Sequence, residues 1–251
     1  MAAKKSKKYW VGFDLGGTKM LANIFDSSFE LSGRARKKTQ SKDGTQSGVE
    51  RIISVLGEAL QDAGIQKDQL SGIGLGIPGP LDPDSGVVID TPNLGWHNLR
   101  LREPIEAAFG CPVFIINDVD AGVFGEYRFG AGQGMRCTVG IFPGTGVGGG
   151  CVYEGQILTG KNRSCFEIGH IPVVPDGPLC GCGQRGCLET VASRLAISAS
   201  AAAAVYRGEA PNLQAIAGTD LSKIRSGALS EAIRAGDAVI EEIVRNGARW
   251  L

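Results

Sequence analysis

Apolar positions along this chain fall into short β-like runs separated by stretches of helical spacing. Trp10-Val-Gly-Phe-Asp-Leu reads as a strand that runs into the turn Gly16-Gly17-Thr18-Lys19. Leu21-Ala-Asn-Ile-Phe resumes a second strand, so the turn joins a hairpin. Val49, Ile52, Ile53, Leu56 and Leu60 then recur at helical spacing, with Gly64 placed to end that helix. Gly72 to Ile77 has the pattern of a buried strand, Pro104 opens a short helix ending near Gly110, and Pro112 to Ile116 is a β-branched run. Asn117-Asp118 follows that run, and a glycine-punctuated helix is expected over 119–129.

A second cycle begins at Cys137. Cys137 to Phe142 reads as a strand, Gly144-Thr-Gly-Val-Gly-Gly-Gly as a turn, and Cys151-Val-Tyr as the returning strand. The strand–glycine turn–strand plan therefore occurs twice, which points to a duplicated α/β architecture with a cleft between the halves. The expected organisation is a basic tail over 1–8, an N-terminal α/β domain over 9–119 and a C-terminal α/β domain over 120–251. Thr190 to Arg207 is alanine-rich and helical, and helical spacing returns from Leu221 to Leu251. Since an α/β unit normally follows such a helix with another strand, the chain is expected to be shorter than its fold; a last helix that simply docks at the C-terminus is the alternative. Trp96 and His97, which follow Pro92-Asn93, are expected in a surface turn.

Composition narrows the class. The 251 residues carry a formal net charge of zero, so the cluster Lys4, Lys5, Lys7 and Lys8 is read as a solvated tail, and no nucleic-acid partner is expected. No apolar stretch follows those lysines as a signal peptide would require, and no run approaches the roughly 18 residues of a membrane span. A cytoplasmic location is the expectation. The 38 glycines sit in short clusters beside apolar runs, the look of an enzyme with backbone-lined sites.

Seven cysteines in a reducing compartment favour metal over disulfide. The stretch Glu167 to Glu189 places His170, Cys180, Cys182 and Cys187 where one Zn²⁺ can be closed in tetrahedral Cys₃His coordination. Gly181, Gly183 and Gly186 suit the tight loop this needs. The competing readings are a disulfide or buried free thiols. Glu167 and Glu189 bracket the cluster.

Gly74/Gly76/Gly79 and Gly144/Gly146/Gly149 both match Gly-x-Gly-x-x-Gly, yet neither opens a helix, so neither is a dinucleotide fingerprint. Two glycine turns at equivalent positions, with Asp14, Thr18 and Thr145 beside them, instead suggest a nucleotide clamp; plain hairpin connections are the alternative. Asp118 lies just past a strand end, where open α/β sheets bind ligands and a carboxylate can take a proton from an attacking hydroxyl. Its alternative role is an N-cap. Asp120 would sit inside the helix.

Together, Asp14-Leu-Gly-Gly-Thr-Lys19, Asn117-Asp118, Gly144 to Gly150 and the Glu167–Glu189 block resemble the ROK family of sugar kinases and sugar-responsive repressors, above all its bacterial ATP-dependent glucokinases. The resemblance covers roughly residues 9 to 251. It implies the two-domain actin-like ATPase (ribonuclease H-like) α/β fold, closing over sugar and nucleotide. It further implies ATP and Mg²⁺ as cofactors, a structural Zn²⁺, and phosphorylation of a hexose 6-hydroxyl, foremost that of glucose. Asp118 would be the base, and Asn117, Glu167, His170 and Glu189 would hold the remaining hydroxyls. Asp14 would lie near Mg²⁺, with Gly16, Gly17, Thr18, Lys19, Gly144, Thr145 and Gly146 on the ATP phosphates. One ring nitrogen of His170 would face zinc and the other the sugar. The resemblance leaves open N-acetylglucosamine, N-acetylmannosamine or fructose as substrate, and a catalytically weak sugar binder lacking part of the adenosine site. A strand beginning by Tyr9, in place of a helix-turn-helix domain, disfavours a repressor. Dimers are common in the family, and Trp250 offers an apolar patch for self-association.

Overall fold

The computed structural model describes residues 8–39, 45–91, 94–161 and 165–251. Lys4, Lys5 and Lys7 of the basic tail, and Pro92-Asn93, lie outside them. The described chain divides into two compact units, Met1–Met135 with Thr159–Ser164, and Arg136–Leu158 with Cys165–Leu251.

In the first unit, β1 (Tyr9–Leu15), β2 (Lys19–Phe25) and β3 (Leu31–Lys38) form an antiparallel meander. Alternation decides its faces: Val11, Phe13 and Leu15 are buried. Helix α1 (Thr45–Asp62) lays Val49, Ile52, Val55, Leu56 and Ala59 against β2 and β3. Its end packs so closely on β3 that a Cβ at Gly33 would lie 2.6 Å from the amide nitrogen of Ala63. Gly64 takes a positive φ of 66°, and Ile65 N–H returns to the Leu60 carbonyl, a Schellman-type stop. Then β4 (Leu70–Ile77) pairs in parallel with β1.

A small antiparallel sheet follows, β5 (Leu81–Asp82), β6 (Val87–Thr91) and β7 (Trp96–Arg100). This corrects the expected surface turn. Trp96 is 1% exposed and its ring rests against Gly48 of α1, so it is a core anchor. His97, by contrast, is exposed and its Nδ1 stands 2.9 Å from Asp90 Oδ1. Helix α2 (Arg102–Phe109) ends at Gly110 in the left-handed region, and β8 (Val113–Asn117) pairs in parallel with β4. The sheet order is β3-β2-β1-β4-β8, which brings the C-terminal ends of β1, β4 and β8 to one edge. Helix α3 (Asp118–Phe129) starts there and stays with this unit, so the division falls at Met135/Arg136 and not at 119/120.

In the second unit, β9 (Cys137–Pro143), β10 (Val147–Tyr153) and β11 (Gln156–Ile157) form an antiparallel sheet ordered β11-β10-β9. The glycine turn is shorter than expected from sequence. It spans only Gly144 to Gly146, and Gly148, Gly149 and Gly150 are strand residues opposite Phe142, Ile141 and Gly140. The reason is packing: a Cβ at Gly149 would lie 2.6 Å from Ile168 Cγ1 and 2.7 Å from the Phe166 carbonyl oxygen.

The alanine-rich run is likewise two helices, α4 (Glu189–Ala192) and α5 (Arg194–Tyr206). Ser193 divides them, its Oγ capping Ala196 N–H at 3.1 Å. Helices α6 (Pro211–Ala217), α7 (Ser226–Arg234) and α8 (Ala238–Ala248) complete the unit. Ala201, Ala204, Val205, Leu213, Ile224 and Ile240 form their shared core. Buried Asp237 accepts from the backbone of Asn212 and Leu213 and so closes the start of α6. Among the described residues no helix is long and apolar enough to cross a membrane.

Candidate functional site

The first unit assembles its chemistry at the shared strand edge. Asp14 lies one residue before the end of β1, opposite Gly76 of β4, and Asn117 ends β8 opposite Ile77. Asn117 is the true N-cap of α3: its Oδ1 accepts from Val119 N–H at 2.9 Å and Asp120 N–H at 3.2 Å. Its Nδ2 reaches the Gly79 carbonyl at 3.5 Å. That leaves Asp118 as the first helical residue, with Oδ1 accepting from Val119 N–H at 3.0 Å. Burial pushes the Asp118 carboxyl above its ordinary range; the Val119 N–H bond opposes this, and the negative charge of Asp14 adds to it. Desolvation also raises Asp14. Asp120 lies in the first turn of α3, as the pattern predicts.

The turn after β1 closes through Gly16 N–H donating to the Lys19 carbonyl at 2.9 Å. A Cβ at Gly16 would lie 2.9 Å from that same oxygen. Sequence reasoning missed Thr39. Its buried side chain donates to the Gly16 carbonyl at 2.6 Å and its N–H to the Thr18 carbonyl at 3.0 Å, so β3's end fixes the turn from outside. Gly17, Thr18 and Lys19 remain exposed.

In the second unit the Glu167–Glu189 segment folds around its cysteines. A 3₁₀ turn (Ile168–His170) follows Glu167, and Gly169 is pressed against the backbone of Val147, which ties that turn to the start of β10. Bridges pair Pro172 with Cys187 and Leu179 with Arg185. Gly183 and Gly186 take φ of 90° and 71°, and Gly186 has the Val174 carbonyl where a side chain would be.

The fold brings together His170, Cys180, Cys182 and Cys187, with their donor atoms all within 4.8 Å of one another. Cys182 Sγ stands 3.7 Å from Cys187 Sγ, and Cys180 Sγ 3.5 Å from His170 Nδ1. Around one tetrahedral zinc with bonds of about 2.3 Å (S) and about 2.0–2.1 Å (N), sulfurs stand about 3.8 Å apart and S–N pairs about 3.6 Å. The Cys182–Cys187 and Cys180–His170 pairs already stand at those separations, and all four donors lie close enough to converge on one zinc ion. Burial, then the thiols of Cys182 and Cys180, push Cys187 up to about 12. A bound cation would favour the thiolate forms of such crowded sulfurs. His170 turns Nδ1 to the sulfurs, which gives Nε2 a different neighbourhood.

Glu189 connects this cluster to the glycine turn. Its Oε1 faces Cys180 Sγ at 3.9 Å, and its Oε2 accepts from Val147 N–H at 3.1 Å. Gly146 lies against the same carboxylate with no space for a side chain.

Residues 10–251 match the ROK family, and the chain belongs to that family. It is 37% identical to a glucokinase of Thermotoga maritima over 74% of this chain and 58% of that protein. It is 34% identical to a glucokinase of Streptomyces coelicolor over 96% of this chain and 74% of the relative. The match thus spans less than two thirds of the Thermotoga maritima relative. Among solved structures, a ROK family glucokinase from Streptomyces griseus in complex with glucose and AMPPNP superposes with a TM-score of 0.81 at 34% identity. That superposition covers 96% of this chain and 76% of the other. The α/β architecture read from the sequence is the one shared with these actin-like ATPases.

Proposed function

We propose that this chain is an ATP-dependent hexose kinase that phosphorylates the 6-hydroxyl of glucose. The observation that carries the reading is Asp118, a half-buried carboxylate at a parallel strand end, raised above its usual range and beside a second carboxylate, Asp14. A base tuned upward takes a hydroxyl proton more readily at neutral pH. Kinship with two glucokinases and the likeness to a glucose- and AMPPNP-bound relative support the substrates.

In this reading Asp118 accepts the proton of the attacking hydroxyl, while Asn117 holds a neighbouring hydroxyl and orients α3. In the second unit, Glu167, His170 Nε2 and Glu189 hold further sugar hydroxyls. Asp14 would hold Mg²⁺, which supplies charge neutralisation at the phosphates. The turns Gly16–Lys19 and Gly144–Gly146 offer backbone N–H groups and the hydroxyls of Thr18 and Thr145 to the phosphate chain. His170, Cys180, Cys182 and Cys187 would hold zinc as a structural ion that fixes the imidazole. A cytoplasmic enzyme acting as a homodimer would accord with this chemistry.

The test is ADP formation with Mg-ATP across glucose, fructose, mannose, N-acetylglucosamine and N-acetylmannosamine, alongside calorimetric sugar binding. Glucose-dependent turnover is expected. Sugar binding with no turnover on any hexose would replace the kinase with a sugar-binding protein.

A further inference from the structure

The turn Gly144–Gly146 is held from two sides. Glu189 grips its far end through Val147 N–H at 3.1 Å. On the near end Arg194, the first residue of α5, reaches it twice. Its backbone N–H donates to the Gly144 carbonyl at 2.9 Å, and its Nη2 donates to Thr145 Oγ1 at 2.8 Å. The Ser193 cap fixes where α5 begins and so fixes Arg194.

The direction of the second bond matters. A guanidinium can only donate, so Thr145 Oγ1 must accept and its own proton is turned to another acceptor. Among the described residues no carboxylate pairs with Arg194. The side chain is partly exposed, and most of its N–H groups remain for a ligand. A fork of charged N–H donors, a hydroxyl oriented as donor, and a turn whose other two residues are glycines together complement phosphate oxygens.

We propose that Arg194 is a phosphate-contact residue, gripping the phosphate chain of the donor nucleotide together with Thr145 and holding that hydroxyl in its donating orientation. The inference rests on the nucleotide role of the Gly144–Gly146 turn proposed above. It adds to that turn a side chain 49 residues away in sequence.

The test uses the zinc-loaded 251-residue chain and inorganic tripolyphosphate as probe, which needs no turnover. Calorimetry should show the wild type binding tripolyphosphate and Arg194→Met binding it at least about tenfold more weakly, the scale of a charged hydrogen bond. Arg194→Lys, which keeps the charge but not the fork, should fall between them. In steady-state assays KM for ATP should rise while KM for the hexose stays put, a split that a purely structural tie would not give. Should Arg194→Met lose zinc or fail to fold, Thr145→Val and Arg194→Lys carry the comparison, each expected to weaken tripolyphosphate binding. Equal affinity in wild type and variants, or no affinity in the wild type, overturns the inference. A wild type that binds tripolyphosphate through Arg194 yet phosphorylates no hexose overturns the kinase reading alone.

Discussion

The two units solve the same problem, holding a glycine turn beside carboxylates, by different means. The first builds on a five-stranded sheet whose inward residues Val11, Phe13, Ile73, Leu75 and Ile115 merge with α1 in one apolar core. Its site residues stand at strand ends, so burial behind them sets their positions. The second unit has a thin three-stranded sheet on which Val139 and Ile141 are 53% and 43% exposed. Its large apolar cluster lies among α5 to α8, while near the cysteine loop, among the described residues, Val147, Leu188 and Ala192 form a small buried cluster. There, hydrogen bonds to Glu189 and Arg194, and the four candidate metal donors, stand where a core stands in the first unit. A site held by packing should resist chelation, and a site held by donors should not.

The sharpest break of that comparison concerns chemistry. Asp118→Asn should lower kcat by about 10²–10⁴-fold, the range for a lost general base. Sugar affinity should hardly change, because Asn retains the Val119 contact. Turnover within tenfold of wild type would remove Asp118 from the role of base.

Next in size is the metal. Stripping zinc with a chelator, or Cys187→Ser, should cost roughly 10–100-fold in sugar affinity, as for other lost supports of a metal site. Hydrogen exchange should lose protection over 165–192 and keep it in β1 and β4. Metal analysis giving well under one zinc per chain, or exchange rising equally in both units, would erase the contrast.

Packing gives smaller numbers. Leu56→Ala in α1 should destabilise the first unit by about 2–5 kcal/mol, read from denaturant midpoints, with zinc content unchanged. Val139→Ser, on the exposed face of β9, should stay within about 0.5 kcal/mol.

The smallest effect is a pH dependence. The folded carboxyl of Asp118 is raised, so stability falls as pH rises from the unfolded value to the folded one; the loss is complete above the folded value and absent below the unfolded one. Asp118→Asn should therefore be more stable than wild type at pH 8 and equal to it near pH 3. Urea midpoints at the two pH values measure this, and the reverse order would contradict the burial of Asp118.

Local pattern carried much of this structure. The β1–β2 hairpin, α1 with Gly64 at its stop, β4, β8 and α3 all follow from spacing and punctuation within a few residues. The cysteine cluster was equally visible, since ligand type and loop glycines lie within one short stretch. What escaped the sequence depends on distant partners. Trp96 became a core anchor only because Gly48 leaves space for its ring, and two- to five-residue strands leave little periodicity to read. Thr39 reaches Gly16 across 23 residues and Arg194 reaches Thr145 across 49, so neither has a local signal. Gly148 to Gly150 looked like turn residues because glycine says only that no side chain fits, not which backbone shape needs its absence.

Gly149 is hemmed in by a side chain and by backbone, and the two differ in what they can yield. Ile168 could shrink to make space for a larger residue there, but the Phe166 carbonyl, 2.7 Å from the missing Cβ, is backbone and present whatever the side chain. No second substitution can compensate the first. In a saturation library, position 149 should return glycine alone, and in evolution it should drift with nothing.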